Sequence, residues 1–89
     1  MYVIIPTVMR SHTGGLSRVC VQGESVDDVL KQLVKQHPDL QHHLFDSEGR
    51  LVSFVNVFVN DENIRDLDQG NTKLSDTDDV LLVPAIAGG

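Results

Sequence analysis

One stretch of this 89-residue chain repeats its apolar residues at helical spacing, and that stretch limits the folds open to the rest. Val26, Val29, Leu30, Leu33 and Val34 recur at i, i+3, i+4, i+7 and i+8, on one face of an amphipathic helix. Ser25 stands where an N-cap oxygen is wanted, and Asp27 and Asp28 suit the positive end of the helix dipole. The helix is expected to run to about His37, because Pro38 disfavours helical geometry in the residue before it. One amphipathic helix cannot bury its apolar face by itself, so it must lie across a sheet built from the segments on either side.

Those segments read as strands. Tyr2 to Met9 is apolar and rich in β-branched residues, Ser11-His12-Thr13-Gly14-Gly15 supplies the glycines of a tight turn, and Leu16 to Gln22 alternates, so the three form an antiparallel hairpin. After the helix, Leu40 to Phe45 adds a short helical turn and Asp46 to Arg50 a loop. Ser53 to Asn60 alternates again, with Val55, Val57 and Val59 on one face and Phe54, Asn56 and Phe58 on the other. Asn60-Asp61-Glu62-Asn63 is turn chemistry, which leaves Ile64 and Arg65 for a very short fourth strand. Asp66 to Asp79 is polar and anchored by Leu74, and Val80 to Val83 is a last strand that Pro84 ends by lacking an amide donor. No repeat, linker or low-complexity segment divides the chain, so a single domain is expected.

Composition narrows the function classes. Hydrophobic residues make up 40% and charged residues 22%, which fits a folded domain and not a disordered one. Seven basic residues face thirteen acidic ones for a formal charge of −6, and Arg10, Arg18, Lys31, Lys35, Arg50, Arg65 and Lys73 are scattered, so nucleic acid is not an expected partner. No apolar run approaches the roughly 18 residues of a membrane span, and Met1-Tyr2-Val3-Ile4-Ile5 lacks the basic flank and cleavage site of a signal peptide. With Cys20 as the one cysteine, a cytoplasmic location is expected.

A hairpin, a helix across it, further strands and an Ala87-Gly88-Gly89 end together resemble the ubiquitin-like, β-grasp sulfur carriers of the molybdopterin and thiamine pathways. In particular, Ile5-Pro6-Thr7, His12-Thr13-Gly14-Gly15, Phe54-Val55-Asn56-Val57, Val59-Asn60-Asp61-Glu62 with Arg65, and Val83-Pro84-Ala85-Ile86-Ala87-Gly88-Gly89 resemble the carriers of mycobacterial cysteine synthesis. The resemblance implies an α+β, β-grasp fold with a mixed sheet of four to five strands and one main helix. It also implies a domain over residues 1–86 and a flexible tail over 87–89. One departure stands out: the family usually reads Asp-Gly-Asp before the last strand, where this chain has Asp76-Thr77-Asp78, and a β-branched Thr77 tolerates positive φ poorly.

The resemblance further implies the chemistry. The carboxylate of Gly89 is activated by ATP in an adenylating (E1-like) enzyme and converted to a thiocarboxylate, with Ile86, Ala87 and Gly88 threading the enzyme's passage. The chain itself is then a protein substrate and not an enzyme, binds no cofactor, and uses ATP only within its partner. A sulfur-accepting enzyme of the pyridoxal-phosphate-dependent kind and a metalloprotease complete the implied partners. A ubiquitin-like modifier that forms isopeptide bonds through Gly89, or a non-covalent β-grasp binding module, are the alternatives that the same fold leaves open.

From the residues themselves, Phe54, Phe58, Leu81 and Val83 lie opposite the core-facing residues of their strands, so they are expected on the uncovered sheet face as a partner-binding patch. The alternative is that the loop over residues 40–52 covers part of this patch, Phe54 first. His12 and Thr13 belong to a turn. His37, His42 and His43 straddle Pro38 off any common helical face, so no metal site is expected. Cys20 lies on the outer strand face with no base beside it to activate the thiol. No P-loop, nucleotide-binding glycine fingerprint or catalytic triad pattern occurs.

Overall fold

The computed structural model describes residues 1–52 and 54–84. Strands β1 (Tyr2–Ile4), β2 (Arg18–Cys20), β3 (Val55–Val59), β4 (Glu62–Asn63) and β5 (Asp79–Pro84) form one five-stranded sheet in the order β2-β1-β5-β3-β4. β1 and β5 run parallel and every other neighbouring pair is antiparallel, so the sheet is mixed. Helix α1 (Val26–Gln36) packs across one face, and the short α2 (Gln41–Leu44) follows a 3-10 turn at Pro38–Leu40.

Helix α1 starts where its cap does: the Ser25 hydroxyl accepts from the Asp28 amide at 3.3 Å, with Asp27 and Asp28 in the first turn. Val26, Val29, Leu30 and Leu33 are buried, and Val34 packs against the core from its margin. Opposite them lie Val3, Val19, Val55, Val57, Val59, Val80 and Leu82, the inward residues of the sheet. Each such side chain contributes roughly 1.5–3 kcal/mol by leaving water. Gly23 lets the β2–α1 connection pass close to the helix, since a Cβ there would stand 2.9 Å from a Val29 methyl carbon.

Two expectations about the strands are corrected by the structure. The first strand stops at Ile4, not Met9, because the chain coils into a 3-10 helix over Thr7–Thr13. Pro6 brings no donor to extend the ladder, its carbonyl accepts from the Met9 amide at 2.9 Å, and Met9 turns inward to be 3% exposed, so burial overrides the β-branched pattern. The glycines behave as expected, with Gly14 and Gly15 at φ of 67° and 87°. The fourth strand lies at Glu62–Asn63, not Ile64–Arg65. Asn60 and Asp61 both take positive φ, which makes a two-residue hairpin loop, and Ile64 then begins a 3-10 turn capped by the Asn63 side chain, which accepts from the Arg65 amide at 3.0 Å. Leu74 anchors the 66–79 loop as expected, and it is joined there by Thr72, buried, whose hydroxyl accepts from the Asp68 amide.

At Asp76-Thr77 the turn avoids positive φ altogether, and the Asp78 amide donates back to the Ser75 carbonyl at 3.0 Å. Thr77 therefore fits without strain. The Asp78 carboxylate ties this turn to the β3–β4 hairpin by accepting from the Ser75 amide at 2.8 Å and from the Asn60 side chain at 2.6 Å. These bonds, the Ser75 amide foremost, lower the Asp78 pKa below its ordinary value. A carboxyl depressed in the folded state stabilises above its unfolded pKa, and that contribution is lost as pH falls through the lower folded value. Asp78→Asn should accordingly lower the thermal midpoint at neutral pH, and the gap to wild type should narrow as pH falls below the ordinary aspartate pKa of about 3.9. A gap that stays constant with pH would contradict the assignment.

Candidate functional site

Strand alternation divides β5 cleanly. Val80 and Leu82 point into the core, whereas Leu81 and Val83 are exposed on the face that α1 leaves open. Register carries the division across the sheet, because Ile4 pairs with Arg18 on one side and Leu81 on the other, and Leu81 pairs with Phe58, which pairs with Asn63. Arg18, Ile4, Leu81, Phe58 and Asn63 thus form one transverse row. The next row holds Val83 opposite Asn56, whose side-chain carbonyl accepts from Asn63 at 3.4 Å.

Of the four apolar residues expected on this face, strand alternation places Phe58, Leu81 and Val83 on it, and Phe54 is exposed just before β3. Phe54, the one of the four that the 40–52 loop could have covered, is 47% exposed, and that loop packs inward through Leu40, Leu44 and Phe45. Phe58 is half-buried because Leu81 and Asn63 flank it on both sides. Two contributors escaped sequence reasoning. The Ile5 amide donates to the Ser17 carbonyl at 2.8 Å, so the β1–β2 pairing continues one step and sets Leu16, 48% exposed, on the same side as Arg18 and Cys20. Ile4 joins through register. Both lay inside the expected hairpin, and the alternation of Leu16 with Arg18 and Cys20 was the available signal.

β5 also sets where the chain leaves the sheet. The Asp79 carbonyl accepts from the Asn60 amide, so odd residues of β5 turn their backbone groups toward β3 and even ones toward β1. At Pro84 the β1 side is empty of ladder, since β1 ended at Ile4 opposite Leu81. Proline's missing donor costs nothing there. The expected tail residues Ile86, Ala87, Gly88 and Gly89, with the flexibility expected over 87–89, lie outside the described residues.

The remaining sequence candidates take structural places. The Thr13 hydroxyl, buried, contacts the carbonyls of Arg10 and Leu16 at 3.1 and 3.0 Å and pins the turn. His12 and His43 stack with ring centroids 4.2 Å apart, joining the 3-10 segment to α2, while Cys20 is exposed on β2. Among the described residues no cluster of three or more His, Cys, Asp or Glu is placed to hold a metal ion, and no helix is long and apolar enough to cross a membrane.

A mixed five-stranded sheet with one principal helix across it, an apolar outer face and a central last strand leading into a glycine-ended sequence define a ubiquitin-like β-grasp protein. The chain belongs to the ThiS family, whose model matches residues 3–89. It is 39% identical to the sulfur carrier protein CysO of Mycobacterium tuberculosis over 98% of this chain and 96% of that protein. Among solved structures, a chain of the Amycolatopsis orientalis BexX/CysO complex superposes with a TM-score of 0.90 at 35% identity, covering 99% of this chain and 98% of that one. The small archaeal modifier protein 1 of Methanosarcina acetivorans gives a TM-score of 0.90 at 29% identity, covering 99% of this chain and 94% of that one.

Proposed function

We propose that this chain is a sulfur carrier, a protein substrate loaded at Gly89 by an adenylating enzyme. The observation that carries the reading is identity of 39% to a sulfur carrier protein over nearly the whole of both chains, with a family match that extends through Gly89. A Gly89 carboxylate oxygen attacks the α-phosphorus of ATP and displaces pyrophosphate, leaving an acyl-adenylate. A sulfur donor at the sulfide level then displaces AMP and leaves a thiocarboxylate, which passes its sulfur to an acceptor enzyme of the pyridoxal-phosphate-dependent kind serving cysteine or another sulfur-containing metabolite. Two glycines suit a passage too narrow for side chains. The domain before them acts by docking, for which Phe54, Phe58, Leu81 and Val83, with Ile4 and Leu16, supply an apolar patch of the sort monomers seldom expose without use. The work is done in the cytoplasm.

Incubation with the adenylating enzyme of the same genome, ATP and sulfide should raise the mass of the chain by the difference between sulfur and oxygen, localised to Gly89. Isopeptide conjugates to lysines of other proteins, with no thiocarboxylate, would favour a modifier instead, and indifference to ATP a binding module. Docking is tested separately. Phe58→Ser should keep the fold and weaken association with the adenylating enzyme by about 2 kcal/mol or more, the usual cost of truncating an apolar anchor near an interface centre. Unfolding of that variant would assign Phe58 to the core.

A further inference from the structure

We propose that Arg18 is the specificity-determining charge of the docking face, and that the adenylating enzyme presents a carboxylate opposite it. This rests on the docking role of the outer sheet face proposed above. Arg18 lies at one end of the transverse row whose middle is Ile4, Leu81 and Phe58, so any partner seated on those apolar residues meets it at the rim. Its guanidinium carbon stands 4.6 Å from the centre of the Tyr2 ring, on the outer side of the sheet. The chain carries thirteen carboxylic side chains, yet Arg18 pairs with none among the described residues; the first 23 residues hold no Asp or Glu at all.

That placement has a chemical consequence. A guanidinium held over an aromatic ring gives up less freedom when it binds than one free in solvent. Its natural complement is a carboxylate, engaged by two parallel N–H donors, and carboxylates are the ordinary anionic side chains of a protein surface. Among the outward residues of the strands Arg18 is the cation; Asp79 lies next to Tyr2 on β5, and Glu62, paired with the inward Val59, faces the other side of the sheet. The β2 flank of the apolar row therefore carries its positive charge. A partner with an acidic group on one flank of an apolar patch is accepted in one orientation, the one that aims the chain leaving β5 at its active site, and the reversed orientation forgoes the charge pair.

The test measures the KM for the carrier in pyrophosphate release by the adenylating enzyme, using Arg18→Glu, Arg18→Lys and Phe58→Ser, each checked for folding by thermal unfolding. Arg18→Glu should raise KM by about tenfold or more at low salt with kcat unchanged, since a rim charge reversal acts on encounter and orientation. Arg18→Lys should recover part of the loss, and the KM of wild type should rise with salt while that of Arg18→Glu does not. A KM unchanged or lowered in Arg18→Glu, with Phe58→Ser still impaired, overturns the role of Arg18 and leaves the docking face standing. If neither variant moves KM, the docking face falls, and Arg18 with it.

Discussion

Removing Gly89 is expected to abolish sulfur loading while leaving the domain folded. Among the described residues the buried set ends at Leu82, and the β3–β5 ladder closes at Pro84 opposite Val55. The deletion leaves an Ala87-Gly88 end one residue short, about 3.3 to 3.6 Å of extended chain. Displacement of a reacting group by about 1 Å already costs on the order of a hundredfold in rate. Mass spectrometry of the truncated chain after incubation with enzyme, ATP and sulfide should therefore show no thiocarboxylate within the time that loads wild type completely. Sulfur uptake at Gly88, or an intact chain modified at Cys20 alone, would refute the mechanism.

Two adjacent residues of β5 should respond oppositely to the same substitution. Leu82 is 1% exposed within the core beneath α1, and Leu82→Ala is expected to cost about 2 to 5 kcal/mol, through lost transfer free energy and the cavity left behind. Against a typical stability of roughly 5 to 15 kcal/mol that is a large fraction, and it should be plain in the urea midpoint. Leu81→Ala removes a side chain already 37% exposed on the outer face and should move the midpoint far less, while weakening capture by the adenylating enzyme. Equal destabilisation by the two would mean that the outer face is filled from within and is not a docking surface.

The difference between neighbours such as Leu81 and Leu82 was legible in the sequence because it depends only on a period of two along an extended backbone. The same locality made α1 legible: its apolar stripe, the Ser25 cap and the stop at Pro38 are all signals within one or two turns of the residues they govern. Where local signals competed, they misled. Tyr2 to Met9 carries strand-type residues throughout, yet the ladder ends at Ile4, because Pro6 offers no donor and the core offers Met9 a buried place. Phe54 was expected in the outer patch with the 40–52 loop as the element that could cover part of it, and its exposure was decided by how that loop packs through Leu40, Leu44 and Phe45.

By itself, then, the sequence determined the helix, the facing of each long strand, the glycine turn at 14–15 and the family, since each follows from spacing or from contiguous motifs. Only the tertiary structure decided which strands lie side by side. The parallel pairing of β1 with β5 joins residues more than seventy positions apart, and it alone brings Ile4 against Leu81 and completes the row from Arg18 to Asn63. No local pattern encodes such a pairing, because its closure entropy is offset by the whole core at once and not by the residues that meet.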